Sequence, residues 1–117
     1  MTGMNKWNSI RRVSKKQAKK NRLLREHKKT LKPICCICGG RGNQLMHLLP
    51  RSLFPEHYTN PLNLMIGCNV CHSLYDDDLS FRQKQRHLYG QICKFDERGA
   101  IRYFQGEFDK DEKFRPI

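Results

Sequence analysis

Pro33-Ile34-Cys35-Cys36-Ile37-Cys38-Gly39-Gly40 and, after a gap, Cys68-Asn69-Val70-Cys71-His72 frame the part of the chain that decides its fold. Each stretch contains a Cys-x-x-Cys knuckle. Two such knuckles supply the four thiolates of a tetrahedral zinc site, with bonds of about 2.3 Å. Glycine after Cys38 lets the backbone turn tightly around a metal with its amides aimed at sulfur, so Cys35 pairs with Cys38 and Cys36 is left as a spare thiol. Cys93 reads as a small buried hydrophobe. A closed four-sulfur site has no open coordination position for chemistry. His47, Asn63 and His72, which lie between and beside the knuckles, therefore need a separate explanation.

The charge of the chain is concentrated at one end. Residues 1–32 hold 12 of the 23 Lys and Arg and one acid, Glu26. Residues 33–75 hold Arg41 and Arg51 against Glu56, and the remainder balances nine bases with nine acids. A basic segment ahead of a nearly neutral body points to a polyanionic partner, because clustered Lys and Arg gain free energy by releasing counterions condensed on nucleic acid. The competing reading is a solvated tail that serves solubility. The segment lacks the apolar face an anionic membrane would require. A body of this size, in a chain with 38% hydrophobic residues and a mean hydropathy of -0.78, is where a structural metal commonly supplements a marginal core. The polar start Met-Thr-Gly-Met-Asn-Lys-Trp offers no hydrophobic leader, and no run is long enough to span a bilayer. The expectation is a reducing cytoplasm, where paired knuckles hold metal rather than form disulfides.

The expected organisation is α+β: a basic tail or helix over 1–32, a zinc-stabilised domain over 33–108 and a mobile end over 109–117. From Lys6 to Lys32 there is no Gly or Pro, Ser9 is a candidate N-cap, and Pro33 stops the helix. The sparse apolar residues suggest a helix that forms on a polyanion. Gln44–Leu49, ended by Pro50, reads as a buried strand carrying His47, and 62–66 as a second strand that delivers the chain to Cys68. The second knuckle opens a helix on which His72 and Asp76 share a face. A further helix is expected over Leu79–Ile92, and Phe95–Phe108 reads as either a hairpin or a helix.

Taken together, Leu45-Met46-His47-Leu48-Leu49-Pro50-Arg51-Ser52, Asn63-Leu64 and Cys68-Asn69-Val70-Cys71-His72 resemble the HNH endonuclease family. The resemblance covers about residues 33–80, with intervals of 16 and 9 residues between His47, Asn63 and His72. It implies a zinc-stabilised, treble-clef-like ββα-metal finger that enters the minor groove of DNA and cuts by a one-metal mechanism. The small chain is also similar to stand-alone nucleases of phages and mobile elements. That likeness implies DNA as partner, a partner protein of the same origin, and a location at the nucleoid of a bacterial host.

The chemistry is intelligible without the family. Phosphodiester hydrolysis needs a base to take a proton from water, a cation to stabilise charge on phosphate and leaving oxygen, and a group that holds the base in place. His47 is the candidate base. His72 with Asp76 is the candidate ligand pair for a catalytic Mg2+, Mn2+ or Ni2+, beside Zn2+ held by Cys35, Cys38, Cys68 and Cys71. Asn63 is expected to bond the backbone near His47. Arg51, with Arg11, Arg12, Lys15, Lys16, Lys19, Lys20 and Arg22 of the basic segment, is expected to contact phosphates, and His57 and Tyr58 to lie near substrate. Family members usually carry Asp, Glu or His where this chain has Met46, whose thioether is a poor ligand for Mg2+ or Mn2+. Three simpler roles stand beside these: His72 as a zinc ligand, Asn63 as a turn cap, and His47 as a hydrogen-bonded core histidine. At the level of the whole protein the alternatives are a small basic zinc protein that binds RNA or the ribosome, and a non-cleaving DNA-binding accessory of a phage machine.

Overall fold

A computed structural model describes residues 14–117 and divides the chain into two compact units, Met1–Thr30 and Leu31–Ile117. In the first unit the described part is helix α1, Lys15–Thr30, which buries none of its residues. Ser14 precedes it, its hydroxyl accepting from the Gln17 amide at 3.0 Å. Ser9, Arg11 and Arg12 lie outside the described residues. At about 100° per residue, Lys15, Lys16, Lys19, Lys20, Arg22, Arg25, Lys28 and Lys29 surround the helix, so no face is left for a core. Among the described residues no helix is long and apolar enough to cross a membrane.

The second unit is a small α+β body. Strands β1, Gln44–His47, and β2, Leu64–Gly67, pair antiparallel with Gln44 opposite Gly67 and His47 opposite Leu64. Four helices follow: α2, Asn69–Asp77; α3, Leu79–Arg82; α4, Arg86–Cys93; and α5, Glu97–Phe104. The single helix expected over 79–92 is thus two. Gln83 turns its amide to the Phe104 carbonyl at 2.9 Å, and Gln85, at ψ 68°, breaks the helical backbone. The ambiguous 95–108 stretch holds both α5 and strand β3, Gly106–Phe108. In place of a mobile end over 109–117, β4, Phe114–Pro116, pairs with β3. Phe114 packs its ring against Phe108 at 5.1 Å, and a Cβ on Gly106 would sit 2.4 Å from the Phe114 ring.

The core runs from the first sheet into the C-terminal helices. Met46, Leu48, Leu49, Phe54 and Tyr75 join Leu88, Tyr89, Ile92, Ala100, Tyr103 and Phe104 in one buried cluster. Its aromatic rings meet edge to face, with Tyr75 5.9 Å from Tyr103 and 6.1 Å from Phe104. The Tyr75 hydroxyl donates to the Leu48 carbonyl at 2.9 Å, which ties α2 to the chain just after β1.

Arg82 is buried in this core at 7% exposure. Its guanidinium donates to the carbonyls of Tyr75, Asp76 and Tyr103 at 2.8, 2.8 and 2.9 Å and lies 3.8 Å over the Tyr103 ring. The last carbonyls of α2, which have no partner within the helix, are satisfied in this way. Replacing Arg82 with Leu would strand three carbonyls, at a cost of roughly 3 kcal/mol or more. Urea unfolding of the zinc-loaded protein should show that loss, and a change below about 1 kcal/mol would mean the clamp contributes little.

Candidate functional site

The four knuckle sulfurs, Cys35, Cys38, Cys68 and Cys71, all lie within 4.8 Å of one another. Cys38 and Cys68 are 3.9 Å apart, close to the edge of about 3.8 Å that a zinc–thiolate tetrahedron requires. The cluster could hold a metal such as zinc. Backbone amides point at the sulfurs: Ile37 to Cys35 at 3.4 Å, Gly40 to Cys38 at 3.4 Å and Cys71 to Cys68 at 3.3 Å. Gly39 takes a φ of 75°, the left-handed backbone that closes the first knuckle. Cys68 is also the N-cap of α2, so one residue begins the helix and completes the sulfur set.

Electrostatics explain why such a cluster wants a dication. Burial raises the Cys35 thiol, but hydrogen bonds from the backbone at Cys38, Cys68 and Ile37 outweigh it and bring the pKa to about 6. Burial and the neighbouring sulfurs push Cys71 to about 12. One proton leaves easily and the last does not, unless a cation neutralises the set. Cys36 is outside the set. Burial and the nearby thiolates raise it to about 11, and its sulfur sits 4.0 Å from the Met46 sulfur.

His47 ends β1. Its Nε2 lies 2.9 Å from the Tyr58 carbonyl, which can only accept, so Nε2 carries the proton and Nδ1 keeps the lone pair. The ring stacks on Tyr58 with centroids 5.0 Å apart and planes 6° apart, and the Arg51 guanidinium lies 4.3 Å from the same Tyr58 ring. Burial lowers the His47 pKa below its ordinary 6.5, and the charges of His72 and Arg51 add to this, against the Tyr58 carbonyl and Asp76.

Asn63 is fully buried and staples the loop between the strands. Its Oδ1 accepts from the Leu49 amide at 2.8 Å, and its Nδ2 donates to the Leu49 and His57 carbonyls at 3.0 and 3.1 Å. The turn-capping role falls to Asn60, which accepts from the Leu62 amide at 3.1 Å. Asn63 therefore holds both the chain two residues past His47 and the segment that presents the Tyr58 carbonyl. The His57 imidazole is occupied elsewhere, 2.9 Å from Asp96, the N-cap of α5. With Glu56 the pair forms another group of nearby metal-capable side chains among the described residues.

His72 and Asp76 stand one turn apart on α2, with Nε2 and Oδ2 3.3 Å apart. Nδ1 of His72 lies 2.7 Å from the Gln44 Oε1. Their separation is that of an i,i+4 ion pair, and it also lies between the ~3.0 Å and ~3.4 Å at which two ligands at about 2.1 Å from one octahedral or tetrahedral cation would stand. Burial raises the Asp76 pKa against the pull of His72. His72 thus faces Gln44 and Asp76 rather than completing the sulfur set. Met46 is fully buried against Cys36 and Gly67 and offers a cation nothing. Asp78 spends its carboxylate capping α3 through the Phe81 amide at 3.1 Å.

Comparison of the chain with protein-family models, curated proteins and solved structures returns no match.

Sequence reasoning missed three contributors. The Tyr58 carbonyl carries no residue signature, Gln44 acquires its role through strand register, and Arg82 through a long-range fold. Metal analysis of the purified chain should find one zinc, retained when Cys36 or Cys93 is replaced by Ser and lost when any of Cys35, Cys38, Cys68 or Cys71 is. Retention in all six variants would rule out the four-sulfur site.

Proposed function

We propose that the chain is a metal-dependent endonuclease of the HNH type that hydrolyses phosphodiester bonds of duplex DNA, with β1, β2 and α2 as a zinc-clamped ββα-metal finger. The observation that carries the reading is the 3.3 Å His72–Asp76 pair, outside the four-sulfur set and on the helix that packs against the strand ending in His47. In this reading Nδ1 of His47 takes the proton from water. Nε2 cannot, because the Tyr58 carbonyl holds its hydrogen. Asn63 fixes the loop and through it the imidazole, a positioning role. His72 and Asp76 would hold Mg2+, Mn2+ or Ni2+, which when bound stabilises charge on the phosphate. With Met46 turned into the core, water and the DNA phosphate would fill the remaining positions. Arg51, held over Tyr58, and the bases of α1 would contact the backbone, a sequence-independent interaction.

A two-ligand cation site also favours a second reading, a DNA-binding accessory that does not cleave. Supercoiled plasmid with each of the three cations separates the two. Nicking that falls about 100-fold or more in His47→Ala, with zinc and helical content retained, is the expected result. No cleavage in any cation sinks the nuclease reading, and tight RNA binding in its place would favour the ribosome-associated alternative.

The pH profile gives a further check. A base with lowered pKa stays neutral to lower pH, so the acid limb of kcat/KM should fall below pH 6.5. An acid limb above that value would point to another base. The basic helix has its own readout. Changing Lys15, Lys16, Lys19 and Lys20 to Gln should flatten the dependence of log affinity on log salt by about 0.9 for each phosphate contact removed. An unchanged slope would make α1 a solubility segment.

A further inference from the structure

The ligand pair leaves open what decides which nitrogen of His72 faces the cation. Gln44 stands at the start of β1, and its pairing with Gly67 brings it over the first turn of α2. Its Oε1 lies 2.7 Å from Nδ1 of His72, and its Nε2 donates to Oδ1 of Asn69 at 3.3 Å. An amide oxygen only accepts, so this contact requires the proton on Nδ1. Nε2 of a neutral His72 is then a bare lone pair facing the Asp76 carboxylate at 3.3 Å. Two electron-pair donors at that distance repel one another unless something positive lies between them. A proton on Nε2 would make an ion pair, and a divalent cation would make a site.

We infer that Gln44 is the positioning residue of the cation site: it holds the proton of His72 on Nδ1 and so presents Nε2, together with Oδ2 of Asp76, to a divalent metal. The inference rests on the nuclease reading only in placing a cation at this pair, and it concerns binding rather than cleavage. Asn69 belongs to the device, since its bond to the Gln44 amide nitrogen keeps the amide oxygen turned towards the imidazole. Outer partners of this kind orient the imidazole and typically change metal affinity by about 10–100-fold when removed. The competing arrangement turns the Gln44 amide over, so that it donates to Nδ1 while Nε2–H bonds Asp76. That arrangement closes the pair to metal.

The test uses the full zinc-loaded chain in two measurements. Long-range 1H–15N correlation of the His72 ring should show a proton on Nδ1 without added cation, and a neutral ring protonated on Nε2 alone overturns the proposal. Mn2+ titration followed by electron paramagnetic resonance should show one site that is lost in His72→Ala and weakened about 10–100-fold in Gln44→Ala. Gln44→Glu, whose carboxylate also accepts from Nδ1–H, should retain binding. Zinc content and circular dichroism show that each variant is folded. Absence of the His72-dependent Mn2+ site, or equal affinity in the wild type and Gln44→Ala, overturns the proposal. Gln44-dependent Mn2+ binding with no plasmid nicking would uphold it while sinking the nuclease reading.

Discussion

Mutual repulsion among four converging sulfurs is the constraint around which the body is organised. Cys35 and Cys38 come from a glycine turn, Cys68 from the end of β2 and Cys71 from the first turn of α2, so one cation there would join three pieces of chain. Without it, a Cys71 thiol pushed to about 12 stands beside a Cys35 thiol brought to about 6, and the ends of β2 and α2 lose the charge that would hold them together. Because Cys68 also caps α2, binding and helix initiation are coupled. The register of β1 on β2 and the direction of α2 follow, and they set Gln44, His47 and His72 relative to one another.

The hydrophobic core takes over where the sulfurs end. Tyr75 donates to Leu48, Arg82 gathers the last carbonyls of α2, and the aromatic cluster of Tyr75, Tyr103 and Phe104 packs the C-terminal helices behind β1, β2 and α2. The opposite end of the loop is fixed by polar bonds: Asn63 grips Leu49 and His57, and His57 reaches Asp96 on the cap of α5. The candidate base is thereby held from both sides, with its protonated nitrogen committed to the Tyr58 carbonyl. His72 is oriented in the same way, by the Gln44 Oε1 acceptor at its Nδ1. Both imidazoles commit one nitrogen to an oxygen acceptor, Tyr58 for His47 and Gln44 for His72.

Much of this was legible in the sequence where residue type alone dictates the outcome. Paired cysteines at metal spacing, a glycine behind the second sulfur, and His72 four residues before Asp76 on a breaker-free segment each point to one geometry. What was illegible depended on contacts far apart in sequence. No Gly or Pro marks the break between α3 and α4, which arises because Arg82 and Gln83 turn to carbonyls of α5. The β3–β4 hairpin was hidden because 109–117 looks polar, although Phe108 and Phe114, on either side of the turn at 109–113, were the available signal. Met46 reads from its thioether as a poor ligand, and its complete burial against Cys36 and Gly67 came only from the packing.

The most direct test of the central claim is a crystal structure of the zinc-loaded protein soaked in Mn2+, with anomalous scattering measured at the edges of both metals. The expected map has zinc among Cys35, Cys38, Cys68 and Cys71 and a separate manganese peak bonded to Nε2 of His72 and Oδ2 of Asp76. A single peak, with His72 bound to zinc in place of one sulfur, or manganese at some other group, would contradict it.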